Sequence, residues 1–199
     1  CALCGIVSLA SKENAVMLPG LLYLFDLLLS QGVTRQNLKR HLLIGIIPLI
    51  FLAIMAFVFT DPLNILSGYE NREFTLTERL LTQPRILIYY LSLMLYPMTN
   101  RFMLIHEIEL STSLFAPWTT WLAILFWIAW IAIGILLAKK RPLISFCLLF
   151  FLLNHVIESS FIPLELIFEH RNYLPSMAIF LLLSIGIIAF LKDFSQRQL

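Results

Sequence analysis

From Thr119 to Ala138 the chain runs without a charged residue, and Lys139, Lys140 and Arg141 close the run. As a helix rising about 1.5 Å per residue, this stretch matches the roughly 30 Å hydrocarbon core of a bilayer. Leu42–Thr60 reads the same way. A chain of 199 residues that is 60% apolar and 13% charged has too few polar residues to coat a soluble core of its size. Its mean hydropathy is +0.88. Together these features predict an all-α, polytopic helical membrane protein, with residues 1–199 forming one membrane-embedded domain.

Three further runs fit spans: Ala15–Ser30, Pro142–Ile157 and Tyr173–Leu191. Pro142 and Pro175 fall in first turns, where no backbone N–H is needed. Cys1–Ala10 is too short to span and reads as the end of a truncated helix. Ile86–Met98 is also short. It is expected to be an interfacial or re-entrant helix anchored by Tyr89, Tyr90 and Tyr96. The alternative is a span continuous with Thr75–Leu81 and broken near Pro84. The expectation is therefore about five full spans, a truncated first helix and one interfacial helix. The chain opens without Met inside an apolar run, as a fragment of a longer protein would.

Lys and Arg set the expected orientation. Arg35, Lys39 and Arg40 stand without an acid, Lys139–Arg141 adds three more cations, and Lys192 and Arg197 follow. These segments are expected to be cytoplasmic. Asp61–Arg85 carries a net −1 and His155–Asn172 a net −2, so both are expected outside. Lys12-Glu13, Arg72–Arg85, His106-Glu107 and the His155–Tyr173 loop then share one outer surface. A formal charge of +2 gives no reason to expect a nucleic-acid partner. Cys1, Cys4 and Cys147 read as small apolar residues.

His155–Ser176 concentrates two His, three Glu and one Arg between apolar runs. His155 and Glu158 are three apart, on one helix face. Ser160 fits the cap of a short helix containing Pro163. On it Glu165 and Glu169 would share one side, and Leu164, Ile167 and Phe168 the other, as in a helix lying in the interface plane. His170 and Arg171 would then sit at headgroup depth, where a guanidinium holds a phosphate through two parallel hydrogen bonds. The competing reading pairs Arg171 with Glu165 or Glu169. Lys12 offers a second cation, and Arg85 reads as an interface anchor or a further phosphate contact. His106, Glu107 and Glu109 form a weak divalent-cation candidate. Asp26, inside an apolar run, is expected to reach water or a partner helix. No Gly-rich phosphate loop, catalytic-triad order or zinc spacing is present.

Ser11-Lys12-Glu13-Asn14 before an apolar helix, Gln83-Pro84-Arg85 before Tyr89-Tyr90 and Tyr96-Pro97, and then Glu169-His170-Arg171-Asn172-Tyr173-Leu174-Pro175-Ser176 occur in that order. The set resembles the membrane half of the transmembrane-and-tetratricopeptide-repeat O-mannosyltransferases and their bacterial relatives. The resemblance implies a GT-C fold and a glycosyltransferase of the bacterial inner membrane. Such an enzyme moves a sugar from a polyprenyl-phosphate carrier to a protein or glycan acceptor on the outer face. It implies a catalytic acid upstream of residue 1 and repeats after the membrane part. It also implies lipid-phosphate contacts from Arg171 and His170, with Lys12, Glu13 and Arg85 lining the same cavity. Glu169, Tyr173, His155 and Glu158 complete the expected substrate-binding set.

Two other functions fit less well. An envelope polysaccharide polymerase or ligase would use the same carrier with another acceptor. A transporter or flippase would place paired charges mid-span, whereas the spans here are clean apart from Asp26 and the charges are expected at one surface.

Overall fold

A computed structural model describes residues 7, 13–43, 45, 68–101 and 108–197. Among these the regular structure is all helical, with no strand. A 3-10 turn, Glu13–Met17, leads into α1 (Leu18–Phe25), which passes into a π-helical turn, Asp26–Ser30. Gly32, at φ +74°, ends that stretch in a conformation that side chains disfavour. Residues 35–43 form the helix α2. Then come α3 (Leu76–Leu95), α4 (Thr119–Leu137), α5 (Pro142–His155) and α6 (Tyr173–Arg197).

Two helical stretches, Thr119–Leu137 and Glu169–Ser195, are long and apolar enough to cross a membrane. Only 22% and 17% of their apolar windows is buried within the protein. The remaining apolar surface is the kind that lipid covers. The expected count of five spans is not reached among the described residues. Helix α5 has 14 residues, about 21 Å of rise, which is short of the hydrocarbon core. Ala15–Ser30 is likewise short. Leu42–Thr60 lies almost wholly outside the described residues, as does Cys1–Ala10.

Helices α4 and α5 pack antiparallel through small residues. The Ser145 hydroxyl donates to the Gly134 carbonyl at 2.6 Å. A methyl placed on Gly134 would lie 2.9 Å from Leu149 Cδ2, so only hydrogen fits without displacement. Farther along, the Trp130 indole donates to the Leu148 carbonyl at 3.0 Å, and Trp127 stacks on Phe151 at 5.7 Å. Helix α1 also lies antiparallel to α5. A methyl on Gly20 would meet Leu153, and Phe25 meets Phe146 edge-on at 5.9 Å.

These registers bring Asp26–Ser30 and the basic turn Lys139–Arg141 to one end of the bundle. The Glu13–Met17 turn and the C-terminus of α5 lie at the other. Asp26 meets a partner from the next helix, as expected. Its Oδ2 lies 2.9 Å from Nε2 of His41, which is 4% exposed, and accepts from Gln31 at 2.7 Å.

Helix α3 differs from its expected form. It is one helix of 20 residues, beginning ten residues before Ile86 and continuing through Pro84. Thr75 and Glu78 form a reciprocal capping box that fixes its start, a device worth about 1 kcal/mol. Arg101 closes its other end, donating to the carbonyls of Ser92 and Tyr96 at 3.3 and 3.2 Å. At Pro84 the Trp127 indole donates to the proline carbonyl at 2.9 Å, tying α4 to the position where the ladder lacks a donor.

Helix α3 spans about 30 Å. Its side chains hydrogen-bond with Arg101, Glu109 and Ser111, with residues 158–168 and with Trp127. Helix α3 packs on α4, burying Ile86, Leu87, Tyr90, Leu91 and Leu93 against Trp127, Phe151, Ile167 and Ile179.

Candidate functional site

Helix α3 carries two polar stripes at helical spacing. Arg79, Gln83 and Tyr90 share one face with Ile86, while Glu78, Thr82, Arg85 and Tyr89 line the neighbouring face. Each stripe organises a different segment.

The first stripe holds residues 156–168. Arg79 is fully buried. Its Nε donates to the Ser160 carbonyl at 2.9 Å, Nη2 to the Glu158 carbonyl at 2.6 Å, and Nη1 to the Leu164 carbonyl. Burial pulls its pKa below the usual arginine value, and Tyr69 opposes that shift. Gln83 donates to the Leu166 carbonyl at 3.3 Å. The Tyr90 hydroxyl accepts from the Phe168 amide at 2.8 Å. Arg72 donates to the Pro163 carbonyl at 3.1 Å and pairs with Glu165. The Tyr69 hydroxyl donates to the Phe161 carbonyl at 2.6 Å.

The interfacial helix expected over Ser160–Glu169 is therefore absent. Only Glu169–Asn172 forms a 3-10 turn. Pro163 interrupts the donor ladder, and side chains of α3 and its leading turn satisfy carbonyls that a helix would have used internally.

Arg171 sits inside this assembly, 9% exposed. Its Nε lies 3.0 Å from Glu158 Oε2, its Nη1 donates to the Glu165 carbonyl at 2.8 Å, and its plane lies 4.9 Å from the Phe168 ring centre. The ion-pair reading of Arg171 matches this geometry, with Glu158 as partner in place of Glu165 or Glu169. His155, 1% exposed, faces the Phe151 carbonyl at 2.9 Å and the Asn172 side chain at 3.3 Å, packed beside Tyr90. His155, Glu158 and Arg171 are thus brought together, but as a buried polar core. Glu169 is half-buried, and His170 is exposed beside Phe168. Tyr173 is 83% exposed. Lys12, His106 and Glu107 lie outside the described residues. Glu13 opens the first 3-10 turn. Among the described residues no three His, Cys, Asp or Glu converge as metal ligands.

The second stripe faces a cleft of about 410 Å³ between α3, residues 108–120 and the start of α4. Arg85, half-buried, lines it with Ile86, Ile88, Tyr89, Ile108, Glu109, Thr119 and Ala123. Arg85 Nη1 donates to the Glu109 carbonyl at 2.8 Å and to Ser111 Oγ at 3.1 Å. Among the described residues, its Nε and Nη2 have no hydrogen-bond partner. The buried Thr119 hydroxyl in the same cleft also lacks one. A guanidinium with free donors, an unsatisfied hydroxyl and an otherwise apolar wall suit an anion attached to an apolar chain.

Sequence reasoning placed Arg85 among the site residues and missed Thr119. Threonine at the start of an apolar run carries no signal of its own. Among the described residues, the cleft that Arg85 lines does not include Arg171, which lies against the other stripe of α3. No family model, curated protein or solved structure matches this chain.

Proposed function

We propose that this chain is the membrane-embedded part of a GT-C-type glycosyltransferase that takes a sugar from a polyprenyl-phosphate carrier. The reading rests on the resemblance of the Gln83-Pro84-Arg85 and Glu169–Ser176 stretches to the O-mannosyltransferase family. The observation that carries it is Arg85: a half-buried guanidinium whose Nε and Nη2 have no partner among the described residues, in an apolar-walled cleft beside the first turn of α4. A carrier phosphate has its charge at headgroup depth and its chain in the hydrocarbon. Arg85 would hold the departing phosphate while Ile86, Ile88 and Ala123 border the first isoprene units. Charge on the leaving phosphate grows through sugar transfer, so a fixed cation beside it lowers the barrier.

The end of the bundle bearing Lys139–Arg141 and residues 31–41 would face the cytoplasm of a bacterial inner membrane, and the cleft the periplasm. A protein or glycan hydroxyl would be the acceptor, with the base supplied from outside this chain.

The test is sugar transfer by the full-length protein in proteoliposomes, with radiolabelled polyprenyl-phosphate mannose and glucose as donors. Arg85→Ala should lower turnover about 100-fold at unchanged expression. Arg85→Lys should also be impaired, because one ammonium cannot replace the planar fork. Wild-type turnover by Arg85→Ala would remove the cleft from the reaction.

A further inference from the structure

Beside Arg85 lies a ladder of buried hydroxyls. Thr82, Ser111 and Thr120 are each fully buried. The Thr82 hydroxyl donates to the Glu78 carbonyl at 2.7 Å and accepts from the Ser111 amide at 2.9 Å. The Ser111 hydroxyl lies 2.8 Å from that of Thr120 and accepts from Arg85 Nη1 at 3.1 Å. Either hydroxyl can donate in the Ser111–Thr120 bond, and in both cases the Ser111 oxygen keeps a lone pair for the guanidinium. Three segments — α3, residues 108–118 and the first turn of α4 — thus meet at Ser111, which also holds one nitrogen of Arg85.

We propose that Ser111 is a positioning residue for anion binding: it pins Nη1 so that Nε and Nη2 stay turned to the cleft. An arginine free at its tip has rotamer entropy to lose on binding. Anchoring one nitrogen on Ser111 and the Glu109 carbonyl removes much of that loss beforehand. The ligand chemistry is a phosphate mono- or diester. The inference rests on the reading of Arg85 as its cation.

The test is binding of dodecyl phosphate, and separately of inorganic phosphate, to the full-length protein in nanodiscs of neutral lipid, with thermal unfolding followed in parallel. Ser111→Ala should weaken both ligands about tenfold, the worth of one hydrogen bond to a charged group, while Ser111→Thr restores binding. Thr120→Val, which keeps the shape but removes the hydroxyl bonded to Ser111, should weaken binding in the same direction even if Ser111→Ala folds poorly. In the background of Arg85→Ala, Ser111→Ala should cause no further loss. A dodecyl phosphate affinity far above that of inorganic phosphate identifies the lipid-linked source, and equal affinities identify free phosphate; Ser111 positions Arg85 in both cases. If Arg85→Ala weakens binding but Ser111→Ala and Thr120→Val do not, the positioning role is overturned and the cleft stands. If Arg85→Ala binds as wild type, both are overturned.

Discussion

Arg171 Nε lies 3.0 Å from Glu158 Oε2, with both side chains 6% exposed. The pair sits under a loop that Arg79 and Tyr90 also hold, so neither charge has water to retreat to. Deleting one partner leaves the other buried and uncompensated, at a cost of about 3–5 kcal/mol. Arg171→Ala and Glu158→Ala should each lower the unfolding temperature sharply in detergent and reduce the folded yield. Arg171→Met with Glu158→Leu should recover much of that loss, since no charge is then stranded. If Arg171 only contacted the lipid phosphate, Arg171→Ala would abolish transfer at normal expression. The buried pair predicts that it fails at folding first.

Arg79 tests the same loop from the other side. Its three nitrogens reach the carbonyls of Glu158, Ser160 and Leu164, a fork that lysine cannot match. Arg79→Lys should lose at least one charge-assisted hydrogen bond, about 1.5–3 kcal/mol. Limited proteolysis should then cut within residues 156–168 while α4 stays protected.

Helix α3 should loosen in acid. Hydrogen bonds from the Thr75 backbone and hydroxyl hold the Glu78 carboxyl below its usual pKa. A carboxyl depressed in the folded state contributes stability above its unfolded pKa, and that contribution fades as pH falls through the folded value. The unfolding temperature should drop between neutral pH and about pH 3. Glu78→Gln, which keeps the capping box without the charge, should show a shallower drop.

The α4–α5 contact should be intolerant of bulk. Gly134→Leu should cost about 1–3 kcal/mol in unfolding measurements, through overpacking against Leu149. Gly134→Ala should cost less, because the atom it meets at 2.9 Å is the movable end of a leucine side chain.

The apolar runs announced most of the helices. Thr119–Leu137 and the start of α6 at Tyr173 follow directly from uncharged sequence, and Pro142 marks the first turn of α5 as its fixed φ suggests. Asp26 was legible as an acid needing a partner, though His41 as that partner was not. What stayed hidden depends on contacts distant in sequence. Arg79 looks like one more loop charge until residues 158–164 fold against it. Ser111, Thr119 and Thr120 look like ordinary loop and helix-start residues until α3 brings Arg85 beside them. Residues 160–169 carry a sound helical pattern that the side chains of α3 override by taking its carbonyls. Arg171, the most conspicuous cation, is neutralised by an acid thirteen residues away.

The central claim is that the Arg85 cleft, and not the Arg171 loop, receives the lipid phosphate. The most direct measurement is photo-crosslinking of the full-length protein in membranes with an alkyl phosphate carrying a diazirine near its headgroup, read by peptide mass spectrometry. The account predicts adducts on Ile88, Tyr89, Thr119 or Ala123 that disappear in Arg85→Ala. Adducts confined to residues 156–173, or cleft adducts undiminished in Arg85→Ala, would contradict it.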